Sequence, residues 1–128
     1  MTDKIVVMVT CGSRAEAKKI ARAVVEARLA ACANVLGAPV QSIYRWKEKV
    51  ETAKEVLLLV KSTRKRFLAL EREIRRLHSY ETPEIIAVAI AEGSNAYLQW
   101  IGESVQIPGW QNSSTARRSA RAVGKVPA

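Results

Sequence analysis

The groups in this chain able to do chemistry are two thiols, Cys11 and Cys32, the single imidazole of His78, and the carboxylates and phenol that follow it in His78-Ser79-Tyr80-Glu81-Thr82-Pro83-Glu84-Ile85. A neutral imidazole and a thiolate are the ligands that copper and zinc select. His78 with Cys11 or Cys32 is therefore the candidate metal set. A preformed site of high affinity needs three or four ligands, and each residue also has a purely structural reading. A histidine at a helix end complements the helix dipole, and a small thiol packs like an apolar side chain. Lys61 closes one apolar run and Glu84 opens another. If those two ends meet, they form a pair facing His78 and Tyr80, and Trp46, Lys61, Tyr80, Glu84 and Trp100 would line a cleft for a small anion or metabolite at the subunit boundary. The same residues also make sense as a stabilising ion pair, a hydrogen-bonded tyrosine and aromatic anchors of a core or interface. No residue is assigned a catalytic role, because no nucleophile stands beside an oriented base; the chain is not expected to be an enzyme.

The elements that must position these groups follow from periodicity and punctuation. Ile5 to Val9 is a short, largely β-branched run broken by Cys11-Gly12-Ser13, which reads as a first strand. Ser13 with Glu16 has the form of a capping box, and Ala17, Ile20, Ala21, Val24 and Ala27 recur at helical spacing as far as Leu29. Residues 33–46, interrupted by Gly37-Ala38-Pro39, read as one bent strand, and Lys47-Glu48-Lys49 turns the chain back. A long third strand runs from Val50 to Val60. Thr63 is placed to cap a second helix with Phe67, Leu70, Ile74 and Leu77 on one face and mostly basic residues elsewhere. The residue before Pro83 is pushed from helical angles, so that helix ends near His78. A fourth strand spans Glu84 to Ile90, and Ser94 caps a short final helix through Tyr97, Leu98, Trp100 and Ile101. The order β-α-β-β-α-β plus a terminal helix is that of an α+β, ferredoxin-like fold.

At 128 residues with 48% hydrophobic and 26% charged side chains, the chain is one small globular domain. No apolar run reaches the roughly 18 residues needed to span a bilayer, and no signal-peptide pattern precedes Ile5; the expected location is cytoplasmic, with reduced thiols. The net charge of +9 is unevenly spread: residues 106–128 hold Arg117, Arg118, Arg121 and Lys125 without an acid. Residues 1–105 are read as the folded domain and 106–128 as a basic, loosely held tail with weak, salt-sensitive attraction to polyanions. No specific nucleic-acid partner and no membrane are expected.

Three strands, Ile5 to Val9, Val56 to Val60 and Ile85 to Ile90, are apolar at every position rather than alternating, the pattern of burial on both faces. Two main helices cover one face only. Leaving several Val, Ile and Leu side chains wet would forgo several kcal/mol at roughly 25 cal/mol per Å², so a homo-oligomer is expected, with the long bent strands reaching onto neighbouring copies.

Ala30-Ala31-Cys32-Ala33-Asn34, Tyr44-x-Trp46, Glu55 leading into the strand closed by Lys61, His78-x-Tyr80-Glu81-Thr82-Pro83-Glu84-Ile85 and Tyr97-Leu98-x-Trp100 together resemble the CutA divalent-ion tolerance family, from about Lys4 to Val105. That resemblance implies a stable homotrimer of ferredoxin-like subunits, cytoplasmic in bacteria, with a role in tolerance of copper and other divalent cations, no enzymatic reaction and no cofactor essential for folding. Some members carry a cysteine at the position of Val9 and a second histidine at that of Leu77; here neither is a ligand, and Cys11 lies two residues beyond the first. The alternative is a PII-like trimeric signalling module that binds small anions between subunits, although no glycine-rich phosphate cradle is present.

Overall fold

The computed structural model describes Thr2 to Gln106; the basic tail predicted for 106–128 lies, but for its first residue, outside the described residues. The elements are β1 (Lys4–Cys11), α1 (Arg14–Glu26), β2 (Cys32–Val35), β3 (Val40–Trp46), β4 (Lys49–Thr63), α2 (Phe67–Leu77), β5 (Ile85–Ala89) and α3 (Asn95–Ser104), with a 3-10 turn at Arg64–Arg66. This is the ferredoxin-like α+β order with an additional helix, and the predicted bent strand is resolved into β2 and β3.

β1 is flanked by β4 and β5, both antiparallel to it, and β2 and β3 lie in succession along the opposite edge of β4. Residues on alternate sides of the pleat therefore meet different environments. Ile5, Val7, Val9 and Cys11 of β1 and Val56, Leu58 and Val60 of β4 are buried with Ala17, Ile20 and Val24 of α1 and Leu70 and Ile74 of α2. On the other side, Val6, Met8, Leu57 and Leu59 are only half-buried, and Ile86 and Val88 are each 49% exposed. α3 covers one end of this side, where Trp100, Ile101 and Val105 pack with Ala31 and touch Cys32 and Ile90. The two-sided apolar strands thus have one side covered by helices and one largely bare.

Local signals acted as the sequence suggests at most ends. The Ser13 hydroxyl accepts from the Glu16 N–H at 3.1 Å, and that of Ser94 from the Tyr97 N–H at 3.3 Å. α1 stops at Glu26 rather than Leu29, because Arg28 turns into the left-handed region at φ 60°. Thr63 does not cap the second helix: it is still paired in β4, and the 3-10 turn intervenes before Phe67. The β3–β4 hairpin closes on Lys47 and Glu48, both at positive φ (49° and 69°), the conformation a two-residue turn needs to follow the strand twist.

Candidate functional site

α2 ends at His78, whose backbone N–H donates to Ile74 O at 2.9 Å before the chain extends toward Pro83. That turn drives the imidazole inward, against the C-terminal end of β1. Its Nε2 lies 2.8 Å from the carbonyl oxygen of Thr10, and its Nδ1 lies 3.1 Å from the backbone N–H of Tyr80. A carbonyl can only accept and an amide N–H can only donate, so the ring is the Nε2–H tautomer with its Nδ1 lone pair engaged. The side chain has no solvent exposure. Glu16, whose side chain would complete a capping box, instead reaches across: its carboxylate accepts from the Ser79 N–H at 2.5 Å and from the Ser79 hydroxyl at 3.1 Å. The first turn of α1 and the loop after α2 are thereby pinned together.

The Tyr80 ring packs against His78 at a tilt of 54°, ring centroids 4.7 Å apart, and its hydroxyl donates to Glu55 Oε2 at 2.8 Å. Glu55 is a buried carboxylate at the point where β4 leaves β3 and joins β1. Burial of the phenol and the neighbouring Glu55 charge both push the Tyr80 pKa above that of a free tyrosine. Gly12 makes this approach possible: a Cβ there would sit 3.3 Å from the Tyr80 hydroxyl.

In front of this pair opens a cleft of about 570 Å³ walled by Tyr44, Trp46 and Tyr80 and carrying the carboxylates of Glu55, Glu81 and Glu84. Thr10, Ser42 and Thr82 add hydroxyl oxygens, and among the described residues no basic side chain lines it. The Trp46 ring at its rim already faces a cation, with Lys47 Nζ 5.7 Å from the ring centroid.

Trp46, Tyr80 and Glu84 therefore share this cleft, but Lys61 and Trp100 do not. Lys61 is in register with Val6 and Cys32, and its ammonium donates to Asn34 Oδ1. Among the described residues no ion pair joins Lys61 to Glu84. The reason is direction. β4 and β5 both run antiparallel to β1, hence parallel to each other, so the end of one cannot meet the start of the other. Trp100 is buried in the cluster beneath α3, and its indole N–H has no partner among the described residues. Glu55, Tyr44 and Glu81 were not singled out as cleft residues by sequence reasoning.

The candidate metal set fits poorly. Cys11 pairs with Val56 and Cys32 with Lys61, five positions apart on β4 and therefore about 17 Å along the strand at roughly 3.4 Å per residue. Cys11 lies in the helix-covered core; Cys32 lies against the α3 cluster, near Tyr97 and Asn34. The Cys11 thiol is pushed up to about 12, chiefly by burial and then by the charges of Glu16 and Glu55, which holds it protonated. Both nitrogens of His78 are occupied. Among the described residues no group of three or more His, Cys, Asp or Glu side chains is placed to hold a metal ion. In a single subunit Cys11 and Cys32 are therefore too far apart to share one metal ion with His78.

Residues 5–104 match the model of the CutA1 divalent ion tolerance protein family. The divalent-cation tolerance protein CutA of Thermus thermophilus is 46% identical over 99 residues, covering 77% of this chain and 95% of that protein. A solved structure of the divalent cation tolerance protein Cut A1 from the same species superimposes with a TM-score of 0.78 at 45% identity, over 80% of this chain and 99% of that one. The human protein CutA is 46% identical over 93 residues, which cover 73% of this chain and 51% of the human protein.

Proposed function

This chain belongs to the CutA1 divalent ion tolerance family, and on that footing we propose that it takes part in the response to divalent cations as a homotrimer, with the Glu55–Glu81–Glu84 cleft as its cation-facing surface. The observation that carries the reading is the charge of the cleft: three carboxylates among aromatic walls and, among the described residues, no basic side chain. Its donors are oxygens, which suit hard or hydrated divalent ions better than cuprous copper. The same charge disfavours the small anion that a PII-like module would hold. Assembly is supported by the apolar side of the sheet, where Ile86 and Val88 stand half exposed beside Val6 and Met8, and by Ile43 and Val50 on the β3–β4 hairpin, 71% and 65% exposed. Apolar area of this extent is covered most simply by further copies.

The test is a titration with manganese(II), copper(II) and copper(I), comparing the natural chain with E81Q/E84Q and with H78A. At about 6 Å in water one carboxylate attracts a divalent ion by ~1.4 kcal/mol, a factor of ten. The double substitution is expected to weaken manganese(II) binding at least tenfold in 0.1 M salt. Unchanged affinity in E81Q/E84Q would remove the cleft from the reading, and a copper(I) site lost in H78A alone would restore the imidazole as a ligand. Light scattering at micromolar concentration tests the assembly: a folded monomer excludes it.

A further inference from the structure

Charge is divided unequally between the two sides of the sheet. Segments 14–28 and 64–76, which hold α1 and most of α2 with the turns beside them, carry eleven Lys and Arg against four Glu, whereas the rest of residues 1–105 carries six against eight acids. The positive charge of the domain therefore lies on the helix side, opposite the side of the sheet assigned above to further copies of the chain. Each helix turns one row of side chains to solvent. On α1 the exposed row is Lys18, Arg22 and Val25, and on α2 it is Leu68, Arg72 and Arg75, both at the i, i+4, i+7 spacing that puts residues on one face. The helices run in opposite directions. Glu16, in the first turn of α1, bonds to Ser79 just after α2, and Arg66, just before α2, donates to the carbonyl oxygen of Arg28 just after α1 at 3.3 Å. Val25, 38% exposed, and Leu68, 69% exposed, are thus at the same end of the helix pair. Arg22 and Arg75 have carboxylate partners on their own helices, at 3.5 and 3.8 Å. Among the described residues Lys18, Arg28, Arg64 and Arg72 have none.

We infer that the outer face of the helix pair is a docking surface for an anionic bilayer, with Val25 and Leu68 entering the headgroup region and the unpaired cations meeting lipid phosphates. The combination of groups decides the occupant. Cations alone suit any phosphate polymer, but apolar side chains set among them gain only where hydrocarbon can receive them. Stacking on bases, the other way to hold a nucleic acid, needs exposed rings. α1 has no aromatic residue, and that of α2, Phe67, packs on the core. No helix among the described residues is long and apolar enough to cross a bilayer, which bears on spanning a membrane and not on lying against one.

The experiment is co-sedimentation of the full chain with vesicles of phosphatidylcholine alone, or with about 30% phosphatidylglycerol, in about 0.1 M sodium chloride. All proteins carry R117Q/R118Q/R121Q, so that the arginines after residue 106 play no part in the comparison. A cation near an anionic leaflet is worth a factor of about five, ~1 kcal/mol. R64Q/R72Q is therefore expected to lower partition onto the anionic vesicles about tenfold or more, and L68N about threefold or more. Equal retention by the two kinds of vesicle, or a partition unmoved by either R64Q/R72Q or L68N, overturns the proposal. A DNA duplex of about 20 base pairs supplies the rival polyanion. Retention of the duplex, sensitive to R64Q/R72Q, by a protein that ignores anionic vesicles assigns the face to nucleic acid and overturns the membrane. None of these substitutions touches the Glu55–Glu81–Glu84 cleft, so the divalent-cation reading stands or falls separately.

Discussion

Substituting His78 by alanine distinguishes a structural imidazole from a ligand. In the folded chain the ring satisfies two backbone groups, the Thr10 carbonyl and the Tyr80 N–H, at a position with no solvent exposure for its side chain. Leaving a buried polar group without a partner costs about 1–3 kcal/mol each, and deletion of the ring adds a cavity contribution of the kind seen for other large-to-small changes. The total is expected at about 4 kcal/mol, a large share of the roughly 5–15 kcal/mol that holds a domain of this size. The assay is equilibrium urea unfolding at one fixed protein concentration, because association would enter the apparent stability. H78Q supplies an amide that can serve one of the two partners, and it is expected to recover about 1 kcal/mol of the loss. A ligand role gives the opposite pattern, in which H78A loses metal affinity and keeps its stability. A loss below about 1 kcal/mol for H78A would refute the structural argument.

Three further outcomes follow from named contacts. Because the folded-state pKa of Cys11 is raised from 9.0 to about 12, its contribution to stability is complete below pH 9 and lost as the pH rises toward 12. The slope, about 1.4 kcal/mol per pH unit at its steepest, should flatten in C11A. What remains above pH 10 is then assignable to Tyr80 and Tyr97, whose phenols are shifted in the same direction. Replacing Lys47-Glu48 by Asn-Gly removes two side-chain-bearing residues from the left-handed region and is expected to raise thermal stability by about 1–2 kcal/mol; a decrease on calorimetry would show that those side chains do more than turn the chain. G12A should press a methyl group on the Tyr80 hydroxyl, 3.3 Å from its ideal position, and weaken the Tyr80–Glu55 hydrogen bond. The phenol titration, followed by ultraviolet absorbance, is then expected to move down toward that of a free tyrosine, and an unmoved titration would count against that hydrogen bond.

What could be read without coordinates was whatever depends on residues near one another in sequence. The alternation of Val40 to Trp46, the periodicity of Phe67, Leu70, Ile74 and Leu77, the Gly37-Ala38-Pro39 bend and the hydroxyls of Ser13 and Ser94 each specify a local geometry that tertiary packing left intact. Thr63 had equal local credentials, yet the ladder with β1 extends to its partner Lys4, and the backbone N–H of Arg64 is taken by Asp3 O at 2.9 Å. Glu16 illustrates the same competition. Its carboxylate had a local donor available and bonds instead to Ser79, 63 residues away. A capping pattern states what a side chain can reach, while the fold decides which of its reachable partners is better placed.

The placement of the cleft depended on strand direction, and the element order alone carries that information. In a split βαβ layout the first strand sits between the third and the last of the four long strands and runs against both, so those two are parallel and their beginnings lie at the same end of the sheet. The residue to pair with Glu84, at the start of β5, is therefore found where β4 first meets β1. That residue is Glu55, just before the Val56–Cys11 pair, and not Lys61 near the far end. Period-two spacing reinforces the choice: Glu55 shares a side with Leu57 and Leu59, away from α1 and α2, which is also the side of Thr10. Moving the partner from Lys61 to Glu55 replaces a cation by an anion and reverses the sign of the cleft. The choice between an anion-holding and a cation-attracting surface thus turns on the relative direction of two strands that are paired with β1 and not with each other.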